Sequence, residues 1–209
     1  MEEQTHSLKW NPNPPVRVQN LVTYAVAAGL YTILAFLGVI ALPAGVLGVS
    51  GLYFGMGFLI PFVLWFSGWG VVIGIIGAIL GAGIFQGMPI PQSIAFGSVE
   101  ALVQIPMLVV YRLAAPRFGV SPIGKDVFTP KGLIFFLVWP VILTQLWSAV
   151  SGMGTLYVLN QVPQDILVPE IIIWWVGNMV VVVVIGTILL GVLTPVVERL
   201  GLTVRGIVT

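Results

Sequence analysis

Long apolar stretches, broken by short intervals rich in proline, glycine or charge, make up nearly the whole chain. Between Arg17 and Arg112 the only formally charged residue is Glu100. A bilayer offers no water to backbone N–H and C=O groups, so stretches this long must be helices or strands of a closed barrel. Barrel strands alternate apolar with polar positions. Runs such as 179–186 are apolar at every position, which predicts helices.

Turn signals divide the pattern into six predicted spans, at residues 21–42, 51–66, 69–85, 92–113, 132–159 and 170–193. The breaks fall at Pro43-Ala44-Gly45, at Met88-Pro89-Ile90-Pro91, in a charged loop holding Arg117, Lys125, Asp126 and Lys131, and at 160–169. The expected fold is therefore all-α: a polytopic bundle of six transmembrane helices over 21–195. A polar N-terminal segment (1–20) precedes it and a short tail (196–209) follows. Six crossings put Lys9, Arg17, Arg112, Arg117, Lys125, Lys131, Arg199 and Arg205 on one side, against only Asp165 and Glu170 beyond the fifth span. The positive-inside rule then predicts that both termini are cytoplasmic, in a multi-pass protein of the cell membrane.

Composition supports the lipid-facing reading. Hydrophobic residues make up 58% of the chain and charged ones 7%, with a mean hydropathy of +1.10, whereas a soluble domain carries roughly 25% charged residues. A net charge of +1 without clustered Lys and Arg argues against nucleic acid as a partner. The absence of cysteine removes thiolate metal sites and disulfides. One histidine, His6, lies in the polar N-terminal segment, and no Gly-rich phosphate loop, HExxH or Ser-His-Asp set can be assembled. The chain is expected to be no enzyme, with no cofactor and no metal.

Polar residues at membrane depth are the candidates for function, because a carboxylate in a bilayer costs several kcal/mol unless it is paired, protonated or facing water. Glu100 lies about 12 Å into the fourth helix, with Gln104 one turn deeper on the same face. It either binds a ligand or sits protonated against a neighbouring helix. Gln145 and Ser148 on the fifth span, and Asn178 with Trp175 on the sixth, fall at similar depth; Trp174 reads as an interfacial anchor. Together Glu100, Gln104, Gln145, Ser148, Trp175 and Asn178 form a candidate pocket for a small molecule with a cationic or hydrogen-donating group and a flat ring, thiamine-like or pyrimidine. Small residues mark a second feature. Gly70, Gly74, Gly77 and Gly81 share one face of the third helix, and Ala25 and Gly29 one face of the first. Such faces serve helix packing within the bundle or docking of a membrane partner.

Three segments resemble the substrate-binding S components of energy-coupling factor transporters. They are Tyr24-Ala25-Val26-Ala27-Ala28-Gly29-Leu30-Tyr31, the run from Phe54 through Gly68-Trp69-Gly70 to Gly87, and the end from Gly177-Asn178-Met179 to Leu193-Thr194-Pro195. That resemblance implies an extracellular pocket for a vitamin or other micronutrient, and a transmembrane coupling subunit with two ATPase subunits as partners. The coupling subunit would meet the face of Ala25 and Gly29, where the family typically has Ala-x-x-x-Ala. The chain is also similar to a bacterial membrane-associated sensor domain that precedes signalling outputs. Here the match lies in Trp174-Trp175-Val176-Gly177-Asn178, where Asp is usual in place of Asn178, in Pro195 and in Glu100-Ala101-Leu102. With only a short tail after the sixth span, the expectation is a transporter subunit, and a sensor or scaffold without transport is the alternative.

Overall fold

A computed structural model describes residues 6–10, 17–43, 46 and 48–208. The described residues are almost entirely helical, and the rods follow one another as α1 (Val18–Ala41), α2 (Phe54–Phe66), α3 (Gly68–Gln86), α4 (Ile90–Phe118), α5 (Pro130–Val158) and α6 (Gln164–Arg199). Five of these are long and apolar enough to cross a membrane. The rod at the predicted 51–66 is the short one: α2 has 13 residues, about 20 Å at 1.5 Å per residue, against a hydrocarbon core of about 30 Å.

Local chemistry explains why α2 starts late. The Ser50 hydroxyl donates to the Gly38 carbonyl at 2.7 Å and accepts from the Leu52 N–H at 3.1 Å. Gly51 N–H meets the Leu42 carbonyl at 2.8 Å. Side-chain bonds of this kind draw the backbone away from helix, so the described residues just before α2, 48–53, form a loop that dips into the bundle. Two glycines permit the close approach. Gly48 takes φ +81° against the Ala82 carbonyl, and a Cβ on Gly177 would collide with the Gly51 carbonyl.

At its other end α2 reverses at Ser67 (φ 55°, ψ −124°) straight into α3. Gly70 makes the reversal possible, because a Cβ there would lie 2.5 Å from the Phe62 carbonyl oxygen and the Val63 Cα. Every residue of α2 except Phe54 and Phe58 is buried. It is the central rod, packed by α1, α3, α4 and α6.

The last helix is also longer than the predicted 170–193. Pro169 falls close to its start, where the missing N–H frees only the carbonyl of exposed Asp165. Three one-turn π segments interrupt the long rods, at Ala78–Gly83, Leu137–Leu143 and Val182–Gly186. Such bulges leave carbonyls open to side-chain donors. Pro106 does the same in α4, and the Trp147 indole donates to the freed Leu102 carbonyl at 3.0 Å.

The glycine face of α3 turns inward. Gly74 packs on Leu59, Gly77 on the Tyr31 ring and Gly81 on Thr32 and Ala35. Ala25 and Gly29 instead are exposed on the outer face of α1, with nothing near the glycine.

The described segments nearest the two termini, 6–10 and 200–208, meet on one face of the bundle. Ser7 N–H donates to the Arg205 carbonyl at 2.6 Å, Ile207 N–H to the Lys9 carbonyl at 3.0 Å, and Gly68 N–H to the Ile207 carbonyl at 2.8 Å. Lys125, in the connection between α4 and α5, pairs with Glu198 of α6 at 3.8 Å, so that connection shares the face.

Candidate functional site

Opposite the paired termini, the dipping loop, the later half of α3 and the facing parts of α4, α5 and α6 enclose a cavity of about 20 Å³. That is room for the centre of one water-sized group. Its wall includes Ser50 and Tyr53 from the loop, Glu100 from α4, Ser148 and Gly152 from α5, and Trp174 from α6.

Glu100 is partly buried and held by two donors. Gln104 Nε2 donates to its Oε2 at 2.9 Å, and the Tyr31 hydroxyl to its Oε1 at 3.4 Å. The Tyr31 hydroxyl also lies 3.5 Å from that of Tyr53, and Gln104 Nε2 reaches the Met56 sulfur at 3.7 Å. One carboxylate thus ties α4 to α1 directly, and to α2 through Gln104. Tyr31 is fully buried, and Gly77 leaves the space its ring occupies.

A second polar pair lies between α5 and α6. Asn178 Nδ2 donates to Gln145 Oε1 at 3.2 Å, and Gln145 Nε2 donates to the Pro140 carbonyl in the π turn at 2.9 Å. Ser148, one turn beyond Gln145, links this pair to the cavity wall. Three buried polar atoms here have no hydrogen-bond partner among the described residues: Gln104 Oε1, Asn178 Oδ1 and Trp174 Nε1. Buried polar atoms are nearly always satisfied, so an unsatisfied group calls for an explanation.

Of the six candidates from the sequence, Glu100 and Ser148 line the cavity, Gln104 stands behind Glu100, and Gln145 with Asn178 forms the second pair. Trp175 is absent from the cavity wall and donates its indole N–H to the Ile142 carbonyl at 3.0 Å. Its neighbour Trp174 supplies the aromatic wall instead, edge-on to Phe96 at 6.0 Å and packed over Gly152. Tyr31, Tyr53 and the loop residues escaped the sequence reading. Tyr31 carried one usable signal, a hydroxyl at membrane depth that must find a partner. Among the described residues no three His, Cys, Asp or Glu side chains gather as a metal site would require.

The family comparison decides between the two resemblances. Residues 22–204 match MASE1, a membrane-associated sensor domain. The chain belongs to the MASE1 family. No curated protein and no solved structure matches it. The MASE1 match runs from the second turn of α1 to beyond the end of α6 and includes every residue lining the cavity, and it carries the sensor resemblance; nothing in it supports a transporter S component or vitamin uptake.

Proposed function

We propose that this MASE1 chain is a membrane sensor in which a small polar ligand, bearing a hydrogen-donating or cationic group, is read by Glu100 and reported to the C-terminal segment. The observation that carries the reading is a carboxylate on the wall of an intramembrane cavity, bonded to neutral side-chain donors rather than to a counter-ion. The unpartnered N–H of Trp174, on the same wall, offers a ligand one donor more. Because the cavity holds about one water-sized group, a larger ligand enters by displacing the loop at 48–53.

The signal route is α2. Near its start Met56 touches Gln104; near its end the Leu64 carbonyl accepts from Arg112 and the Trp65 carbonyl from Val204 N–H at 2.7 Å. These points are about 12 Å apart along one short rod. A shift of α2 at the cavity therefore changes what the tail is fastened to. In this reading α2 and the loop at 48–53 together return the chain across the bilayer, which completes six crossings. Paired termini and all eight Lys and Arg residues then share the cytoplasmic face.

The test is a melting-temperature screen of primary amines, amino acids and pyrimidines against the full chain in lipid nanodiscs. A ligand should raise the melting temperature of wild type, leave Glu100→Gln unmoved, and alter hydrogen exchange at 202–208. A compound that stabilises both proteins equally, or binds without any change at 202–208, refutes the proposed readout.

A further inference from the structure

A second concavity lies far from Glu100, on the face of the paired termini, where the end of α4 meets the start of α5. It encloses about 700 Å³. Arg117 and Lys131 stand on its wall, together with Phe118, Ile134, Val138 and Trp139. Phe118 and Ile134 are each 63% exposed, and Arg117 and Lys131 are exposed as well. Among the described residues the one ion pair is Lys125 with Glu198, so neither groove cation is matched by a carboxylate. Trp139 is pinned by its indole N–H to the Met107 carbonyl at 3.2 Å. It lies about 12 Å along α5 from Lys131.

The groove is thus cationic at one end and apolar for two helical turns below. A free phosphate would leave the aromatic and branched walls bare, and a neutral lipid would leave two cations without a counter-charge. We propose that this groove holds one anionic phospholipid of the adjoining leaflet. Its phosphate sits between Arg117 and Lys131, and one acyl chain lies over Phe118, Ile134 and Val138 as far as Trp139. Cations near an anionic surface attract such lipids additively, and the chain contributes burial that a soluble anion lacks. The groove is independent of the cavity at Glu100 and takes a ligand from the membrane itself.

The experiment reconstitutes the full chain in phosphatidylcholine vesicles containing a minor fraction of acyl-brominated phosphatidylglycerol or, in parallel, acyl-brominated phosphatidylcholine. Tryptophan quenching is read in wild type and in Trp139→Phe, so that the difference isolates Trp139. The anionic lipid should quench Trp139 with an apparent affinity on the order of tenfold above the neutral one, given two cations partly screened by salt. Arg117→Gln combined with Lys131→Gln should abolish the preference, and Lys125→Gln should keep it. If the double variant fails to insert, the wild-type preference must still decline as ionic strength rises. Equal quenching by both lipids, a preference that survives the double variant, or protection of Trp139 by a second copy of the chain overturns the proposal.

Discussion

Helix α4 carries two ionisable side chains away from bulk water, and the protein treats them in opposite ways. Glu100 is met by side chains, the Tyr31 hydroxyl and the Gln104 amide, beside open space. Arg112, about 18 Å further along the helix, is 3% exposed and met by main chain alone: its Nη2 donates to the Leu64 carbonyl at 3.1 Å and the Val204 carbonyl at 2.9 Å, and its Nη1 to Arg205 at 3.4 Å. Leu64 lies in the last turn of α2, where the unpaired carbonyls carry partial negative charge and favour a cation. The partners of Glu100 are neutral side chains from α1 and α4, whereas the carbonyls that hold Arg112 belong to the end of α2 and to the tail and move only with them. The same element is therefore held by side chains beside a cavity at one end and by a main-chain clamp at the other, and the proposed reading puts the response at the first.

The largest expected consequence falls on the clamp. Arg112→Ala strips the carbonyls of Leu64 and Val204 of a charged donor and should cost about 3 kcal/mol of stability. The loss would be read by reversible unfolding of the purified chain in mixed micelles. Arg112→Lys should recover part of it, since one ammonium reaches fewer carbonyls than a guanidinium fork. A variant as stable as wild type would show that the tail is held by other contacts, and the contrast would collapse. At the opposite end, Tyr31→Phe removes only a long bond to Glu100 and the edge of the Tyr53 contact. Its cost should be about 1 kcal/mol or less by the same measurement.

Most of the fold was legible in the sequence because lipid leaves few choices. Apolar runs of span length had to be helices, and Pro89, Pro130 and Pro163 stand at or next to the first residue of α4, α5 and α6. The weak point was the segment before α2. Hydropathy cannot tell a helical turn from a loop that Ser50 stitches to Gly38, since both are apolar and buried. Depth arithmetic brought Glu100, Gln104, Gln145, Ser148 and Asn178 to one level. It could not separate Trp174 from Trp175, because adjacent helical residues differ by about 100° of rotation and the direction of the cavity is a tertiary fact. Tyr31 was hidden for the same reason: its partner is 69 positions away in sequence.

Glu100→Gln sharpens the comparison by separating stability from response. The amide keeps an acceptor for one donor, so unfolding should shift by less than about 1 kcal/mol. Any ligand-dependent change at 202–208 should nevertheless vanish. A large loss of stability would mean that Glu100 is itself structural, like Arg112, and that α4 holds two clamps.

The smallest effect concerns the edge of the clamp, where His6 lies beside the tail. Burial first, and then the neighbouring charges of Arg112, Arg205 and Lys125, lower its pKa from 6.5 to about 4. Between those values the unfolded segment carries a proton that the folded one excludes. Stability is therefore full above pH 6.5, falls as the pH drops below it, and levels off near 4. Limited proteolysis of the N-terminal segment across this range should show increasing cleavage toward acid in wild type and a flatter profile in His6→Asn. Because both terminal segments bond to each other, through Ser7 with Arg205 and Lys9 with Ile207, acid should loosen the tail along with the N-terminal segment while the Glu100 end stays intact. Identical profiles in the two proteins would show that the fastening of the termini owes nothing to a neutral His6. The clamp would then rest on Arg112 and the main-chain bonds alone.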